Sequence, residues 1–201
     1  MFTFKDFEKL LAYYCAPSLM GLKPGNLLSC PIESDLLNQW IQIFHLSLST
    51  YPIRIKVLYH RKKNKTLYIY NITFLEKVLS KPEIQMFLKK YNYPCNESVD
   101  QMIAYLSKRA KESREYPHEI GIFLGYPLDD VIGFIKNHGK NYKLCGYWKV
   151  YANVDRALSL FNLYSKSRIY LYGKVSQGVT LEEMNILDAS QTSELHRSML
   201  E

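Results

Sequence analysis

The chain has 201 residues with 26 Lys+Arg against 19 Asp+Glu, a formal net charge of +7, and 47% apolar residues. A chain of this length buries roughly 70% of its unfolded surface, so it needs no disulfide or metal to fold. The composition excludes a disordered chain, a collagen-like chain and a Cys-dense secreted scaffold. Tyrosine is in excess, at 17 residues beside 9 Phe and 2 Trp.

In chain order, Phe4, Phe7, Leu10, Leu11 and Tyr14 recur at helical spacing behind Thr3 as N-cap. This helix is predicted to end at Cys15-Ala-Pro, before a Pro/Gly loop, CAPSLMGLKPGNLLSCP. Asp6 and Glu8 interrupt any apolar core a signal peptide would need, and no apolar run approaches the ~20 residues of a membrane span. A soluble cytoplasmic protein without membrane association is expected. Ser34 is expected to cap a second helix with Leu36, Leu37, Trp40, Ile41 and Phe44 on its apolar face.

Residues 53–59 and 67–70 alternate apolar and polar around HRKKNKT, which predicts a β-hairpin. Helix is predicted from Thr73 to about Tyr91, broken at Pro82, and again from Glu97 to Ser113. Residues 119–124 read as a short buried strand, followed by a turn and a helix from Pro127 to His138-Gly139. Residues 145–151 read as another strand, residues 154–165 as a helix, and residues 168–172 as a further strand. The expected product is one α/β or α+β domain over residues 1–178, a small mixed sheet of about four strands covered by five or six helices. Residues 179–201 are expected to form a polar tail. From residue 180 onward five carboxylates oppose Arg197 alone, a net of −4, which leaves +11 on residues 1–179.

Three segments, CAPSLMGLKPGNL (15–27), PHEIGIFLGYPLDDVIGFI (117–135) and GKNYKLCGYWKVY (139–151), together resemble the domain of unknown function 3793 family, an uncharacterised group found mainly in anaerobic Firmicutes. The resemblance runs to about residue 168. It implies no activity, substrate or cofactor, so candidate sites must come from the residues themselves.

Cys15, Cys30, Cys95 and Cys145 are spaced by 15, 65 and 50 residues, which gives no metal-binding or redox pair motif. P-loop, dinucleotide and nucleophile-elbow patterns do not occur either. Cys15 as nucleophile, His118 as base and Glu119 as orienting group would make a thiol hydrolase or acyl-transferase. Cys15, His118 and Cys145 are the residue types of a soft metal site, but none of them lie close in sequence, and no metal site is predicted.

The leading expectation is a module that binds a small molecule or anion, with the cofactor unknown. Its site is expected where loop 15–27 meets residues 117–130 and 145–151. Lys23 lies between two glycines, and Gly25 permits close backbone approach. Lys149 lies mid-strand and needs a partner such as Glu119 or Asp130. Tyr126, Tyr142, Tyr147, Trp148 and Tyr151 suggest an aromatic pocket, with Tyr147 and Trp148 on opposite faces and Lys149 on the Tyr147 side. Tyr126, Asp130, Tyr147 and Lys149 therefore join Lys23 as ligand-binding candidates. A basic cluster, Arg54, Lys56, Arg61, Lys62, Lys63 and Lys65, offers a protein-interaction surface on hairpin 54–65. Its tyrosines sit at strand spacing rather than interleaved as stacking platforms, which argues against nucleic acid.

Overall fold

A computed structural model describes residues 2–61, 64–112 and 117–184. Helix α1 (Phe4–Leu19) opens with a capping box: Thr3 Oγ1 accepts from the Asp6 amide at 3.3 Å, and Asp6 Oδ2 accepts from the Thr3 amide at 2.9 Å. The helix does not stop at Cys15 but carries Pro17 inside its last turn. Proline removes one helical hydrogen bond. Burial of Cys15, Ala16 and Leu19 outweighs that loss, and Asn26 Nδ2 donates to the Tyr14 carbonyl at 3.0 Å. The loop expected after α1 contains a strand, β1 (Gly25–Cys30).

Helix α2 (Ser34–Ser47) is capped by Glu33, one residue earlier than expected. The predicted hairpin forms as β2 (Ile53–Arg61) and β3 (Asn64–Asn71). The sheet order is β1-β3-β2 and both pairings are antiparallel, not mixed. Strand β3 is central and buried on both faces. Leu67 and Ile69 enter one core with α1 and α2, while Tyr68 and Tyr70 enter a second core. A register shift between Val57 and Tyr59 turns Leu58 and Tyr59 toward that second core.

The second core is closed by α3 (Ile72–Leu79), α4 (Pro82–Lys89) and α5 (Val99–Glu112). It also receives residues 120–123, which form a single helical turn, α6 (Ile120–Phe123), rather than the expected strand. All four residues of the turn are buried, so the apolar run that mimics a strand is a buried helical turn. Gly125, at φ +77°, ends it in a conformation that favours glycine. Helix α7 (Leu128–Lys136) follows with Pro127 as its cap.

Residues 145–151 do not form one strand. They fold as a small hairpin, β4 (Leu144–Cys145) and β5 (Lys149–Val150), with Gly146 to Trp148 at its turn. The last helix, α8 (Val154–Ser176), runs through the segment expected as a strand at 168–172. Its buried residues Leu163, Ser167, Leu171 and Val175 recur every four residues, and the helix packs on α1. That spacing overrides the β-propensity of Ile169, Tyr170 and Tyr172.

The result is a mixed α/β architecture, with eight helices, a three-stranded sheet and a two-stranded hairpin among the described residues. Within the segment expected as a tail, Leu181 is buried and its amide donates to Glu8 Oε1 at 3.2 Å. The acidic residues Asp188, Glu194 and Glu201 lie outside the described residues. No helix among the described residues is long and apolar enough to cross a membrane.

Candidate functional site

Loop 15–27, the 117–130 segment and the 144–152 hairpin do converge, and Tyr126 stands at their junction. Two cavities of similar size share its side chain. One, about 290 Å³, is nearly all apolar, with His118, Phe134, Cys145, Trp148 and Lys149 on its walls. The other, about 280 Å³, is lined by Lys23, Tyr13, Tyr14, Asn26, Tyr147 and Arg168.

Lys23 is the unusual residue. It is 3% exposed, and among the described residues no carboxylate lies within ion-pair distance of it. Instead its Nζ sits over two aromatic faces, 5.4 Å from the Tyr126 centroid and 5.6 Å from that of Tyr164. Ring quadrupoles stabilise a cation there but do not accept its protons as oxygens would. Burial holds the ammonium down to about 8, with Cys15 a weaker opposing influence. Gly25 does not leave room for a ligand as expected: a Cβ there would lie 2.3 Å from the Tyr68 ring.

Arg168 supplies the second cation. Its guanidinium lies over Tyr13 and Tyr147, 5.2 and 5.4 Å from their centroids, and Nη2 donates to the Tyr147 hydroxyl at 2.5 Å. Tyr147 Oη also lies 3.3 Å from Ser165 Oγ, and Tyr126 Oη donates to the Tyr147 carbonyl at 3.2 Å. Burial pushes the Tyr126 phenol up to about 12, so it remains a donor. Arg168 was not among the candidates, because its segment reads as a strand. As helix, Tyr164 and Arg168 are four residues apart on one face, so that Arg168 lines this cavity and the Tyr164 ring lies beside Lys23.

The other candidates sort differently. Cys15 is fully buried on the core-facing side of α1, where burial raises its thiol well above the ordinary range. His118 is exposed, lines the other cavity and meets Phe134 edge-on at 4.9 Å. The structure does not bring the two together as nucleophile and base. Glu119 does not orient His118: it is buried, 2.5 Å from Arg109 Nε, and accepts from the Tyr93 hydroxyl at 3.2 Å. Cys145 is exposed whereas Cys15 is buried, and no cluster of metal-ligating side chains occurs among the described residues.

Asp130 is consumed by structure rather than left for a ligand. Its Oδ2 accepts from Trp148 Nε1 at 2.7 Å, and its Oδ1 accepts from the amides of Tyr151 and Ala152 at 2.7 and 2.9 Å. These bonds fasten the 144–152 hairpin to α7. Lys149 pairs with neither Asp130 nor Glu119. Its Nζ donates to the Gly139 carbonyl at 2.7 Å and lies over Tyr142, 4.9 Å from the centroid. Tyr147 and Trp148 do line different cavities, but Lys149 lies on the Trp148 side. Two residues per strand are too few to sustain the alternation that the expectation assumed.

In the basic hairpin, Lys65 is buried and its ammonium donates to the Ile32 carbonyl. Arg54 Nη1 donates to the carbonyls of Tyr51 and Ile53, at 2.7 and 2.8 Å. Lys62, Lys63 and the side chain of Arg61 lie outside the described residues.

A family model described as "Protein of unknown function (DUF3793)" matches residues 11–185, most of the chain. No curated protein and no solved structure matches it.

Proposed function

The chain belongs to the DUF3793 family, whose description assigns no activity, and on that premise we propose, from its own side chains, that it binds a small anionic molecule in the cavity around Lys23. The observation that carries this reading is a buried cation with no carboxylate partner. An unpaired buried charge costs several kcal/mol, by order of magnitude, and is retained where a ligand supplies the missing countercharge. Arg168 adds a second cation, and its planar donors suit a carboxylate or phosphate edge. The Tyr13, Tyr14 and Tyr147 rings give the apolar walls usual for small-molecule sites. Four free thiols fit a reducing compartment, so the reading is of a soluble cytoplasmic binding module.

The thiol-enzyme alternative draws little from the geometry, since Cys15 is sealed and His118 faces another cavity. An interaction surface on hairpin 54–65 loses Lys65 and Arg54, whose head groups are already bonded within the chain. The test is a thermal-shift screen of phosphate and of small mono- and dicarboxylates at constant ionic strength. At least one anion is expected to raise Tm in the natural protein and to lose that effect in Lys23→Met. A screen with no response, or an equal response in Lys23→Met, overturns the reading.

A further inference from the structure

We propose that Lys23 is the amine of a carbonyl-capture site, forming an imine with a small α-keto acid whose carboxylate is held by Arg168. The proposal rests on the anion-site reading above and names its ligand class. Two cations of unlike chemistry line one cavity. Arg168 is permanently charged and already braced by the Tyr147 hydroxyl and two aromatic faces, so it is suited to anchor a carboxylate without moving. Lys23 can lose its proton. The residue is 3% exposed and lines the cavity, and its amine has no hydrogen-bonded or ionic partner among the described residues. A second permanent anchor needs no such desolvation, whereas an amine that must act as a nucleophile does. Burial also brings its protonation close to neutral pH, so a useful fraction is the free base. A pure carboxylate site would be better served by a second arginine.

The step balances without a redox partner. The Nζ lone pair forms a bond to the keto carbon while the carbonyl π pair moves to oxygen. A proton passes from nitrogen to that oxygen to give a carbinolamine. The carbinolamine hydroxyl then takes up a proton from water, matching the one the ammonium released on becoming the free base; the carbon–oxygen bond breaks, water leaves, and a protonated imine remains. Its positive charge occupies the place of the ammonium, between the faces of Tyr126 and Tyr164, where a cation is already accommodated. The cavity, about 280 Å³, admits a small acid rather than a drug-sized ligand.

The experiment incubates the full chain with pyruvate and sodium cyanoborohydride, then reads intact mass and maps the modified peptide. One adduct is expected on Lys23, more at pH 8.5 than at pH 6.5. Excess lactate, which has the carboxylate but no ketone, should compete. Arg168→Met should lower labelling by about tenfold at subsaturating pyruvate, the loss of a charge-assisted hydrogen bond. Lys23→Arg should abolish the adduct, and Lys23→Met checks this if the arginine variant folds poorly. If pyruvate and lactate raise Tm equally and no adduct forms, the anion site stands and the imine proposal falls. If neither acid shifts Tm and no adduct forms, the imine proposal falls, and the anion site falls with it only when phosphate and the dicarboxylates of the screen give no shift either. Adducts scattered over surface lysines without preference for Lys23 also overturn it.

Discussion

Tyr126 and Trp148 stack at 26° with centroids 5.1 Å apart, and Tyr126 is a side chain that both cavities share. Trp148 is further fixed by Phe161, which meets it edge-on at 4.6 Å. Truncation of Tyr126 should therefore change both sides at once. Tyr126→Ala is expected to cost about 3 kcal/mol, as for a large aromatic core deletion, and to red-shift tryptophan emission as water reaches Trp148. Tyr126→Phe loses only the hydroxyl bond to the Tyr147 carbonyl and should cost about 1 kcal/mol. Equal costs for the two variants in urea unfolding would mean that the ring adds nothing beyond its hydroxyl bond.

Asp130 holds the 144–152 hairpin through three donors. Asp130→Ala should destabilise the protein by about 3 kcal/mol, because buried donors are left unmet. Asp130→Asn can still accept the two backbone bonds on one oxygen, but its amide then faces the indole N–H. It should cost about half as much and specifically perturb the Trp148 indole proton in an NMR spectrum. An Asn variant with that proton unshifted would show the bond to be unimportant.

Lys23 should give stability a distinct pH dependence. Its folded-state value, about 8, lies below the ordinary 10.5 of the unfolded chain. Between those values the unfolded state binds more protons, so the contribution of Lys23 rises with pH; below pH 8 the burial penalty is present in full. From pH 8 to 9.5 the gain is about 2 kcal/mol. Lys23→Met should be more stable than the natural protein at pH 7, and the difference should shrink by pH 9.5. Buried tyrosines such as Tyr68 act with the opposite sign above pH 10, so the comparison belongs below that value. Parallel stability curves for the two proteins would remove the buried charge from the account.

Arg109 and Glu119 form a pair with one member buried and the other 31% exposed. Arg109→Met should cost about 2 kcal/mol, less than a fully buried pair because Arg109 is partly solvated, and it strands the Glu119 carboxylate. Adding Glu119→Gln should recover most of that loss. Additive costs in the double-mutant cycle would show that the two do not interact.

The alternating hairpin, the Thr3 cap and the break at Pro82 were legible because each rests on local spacing. Segments 119–124 and 168–172 were not, because apolar and aromatic runs suit a buried helical turn as well as a strand, and only packing against a neighbour decides. Strand β1 was hidden by its flanking prolines and by the absence of alternation in Asn26, Leu27 and Leu28. For the site, the meeting of three segments and the place of Lys23 and Tyr147 were readable. Arg168 was not, because the misread strand concealed its helical phase with Tyr164. Asp130 drew attention for its charge, yet the partners that consume that charge lie some twenty residues away in the hairpin.

The Lys23 cavity takes its walls from α1, the loop after it, the turn at Tyr126, the hairpin and α8, so its lining is complete only once α8 is in place. At roughly 5–20 residues per second, a growing chain would wait on the order of 10–30 s between completing α1 and completing α8. During that interval Phe7, Leu11 and Leu19 lack their final cover, and Lys23 has only part of its aromatic surround. A molecule that fits the cavity therefore recognises the finished protein alone, and at a hundredfold excess over its Kd would add about 2.7 kcal/mol to the folded state. Occupancy would then act as a measure of completed assembly, linking the lifetime of the protein in the cell to the supply of its ligand.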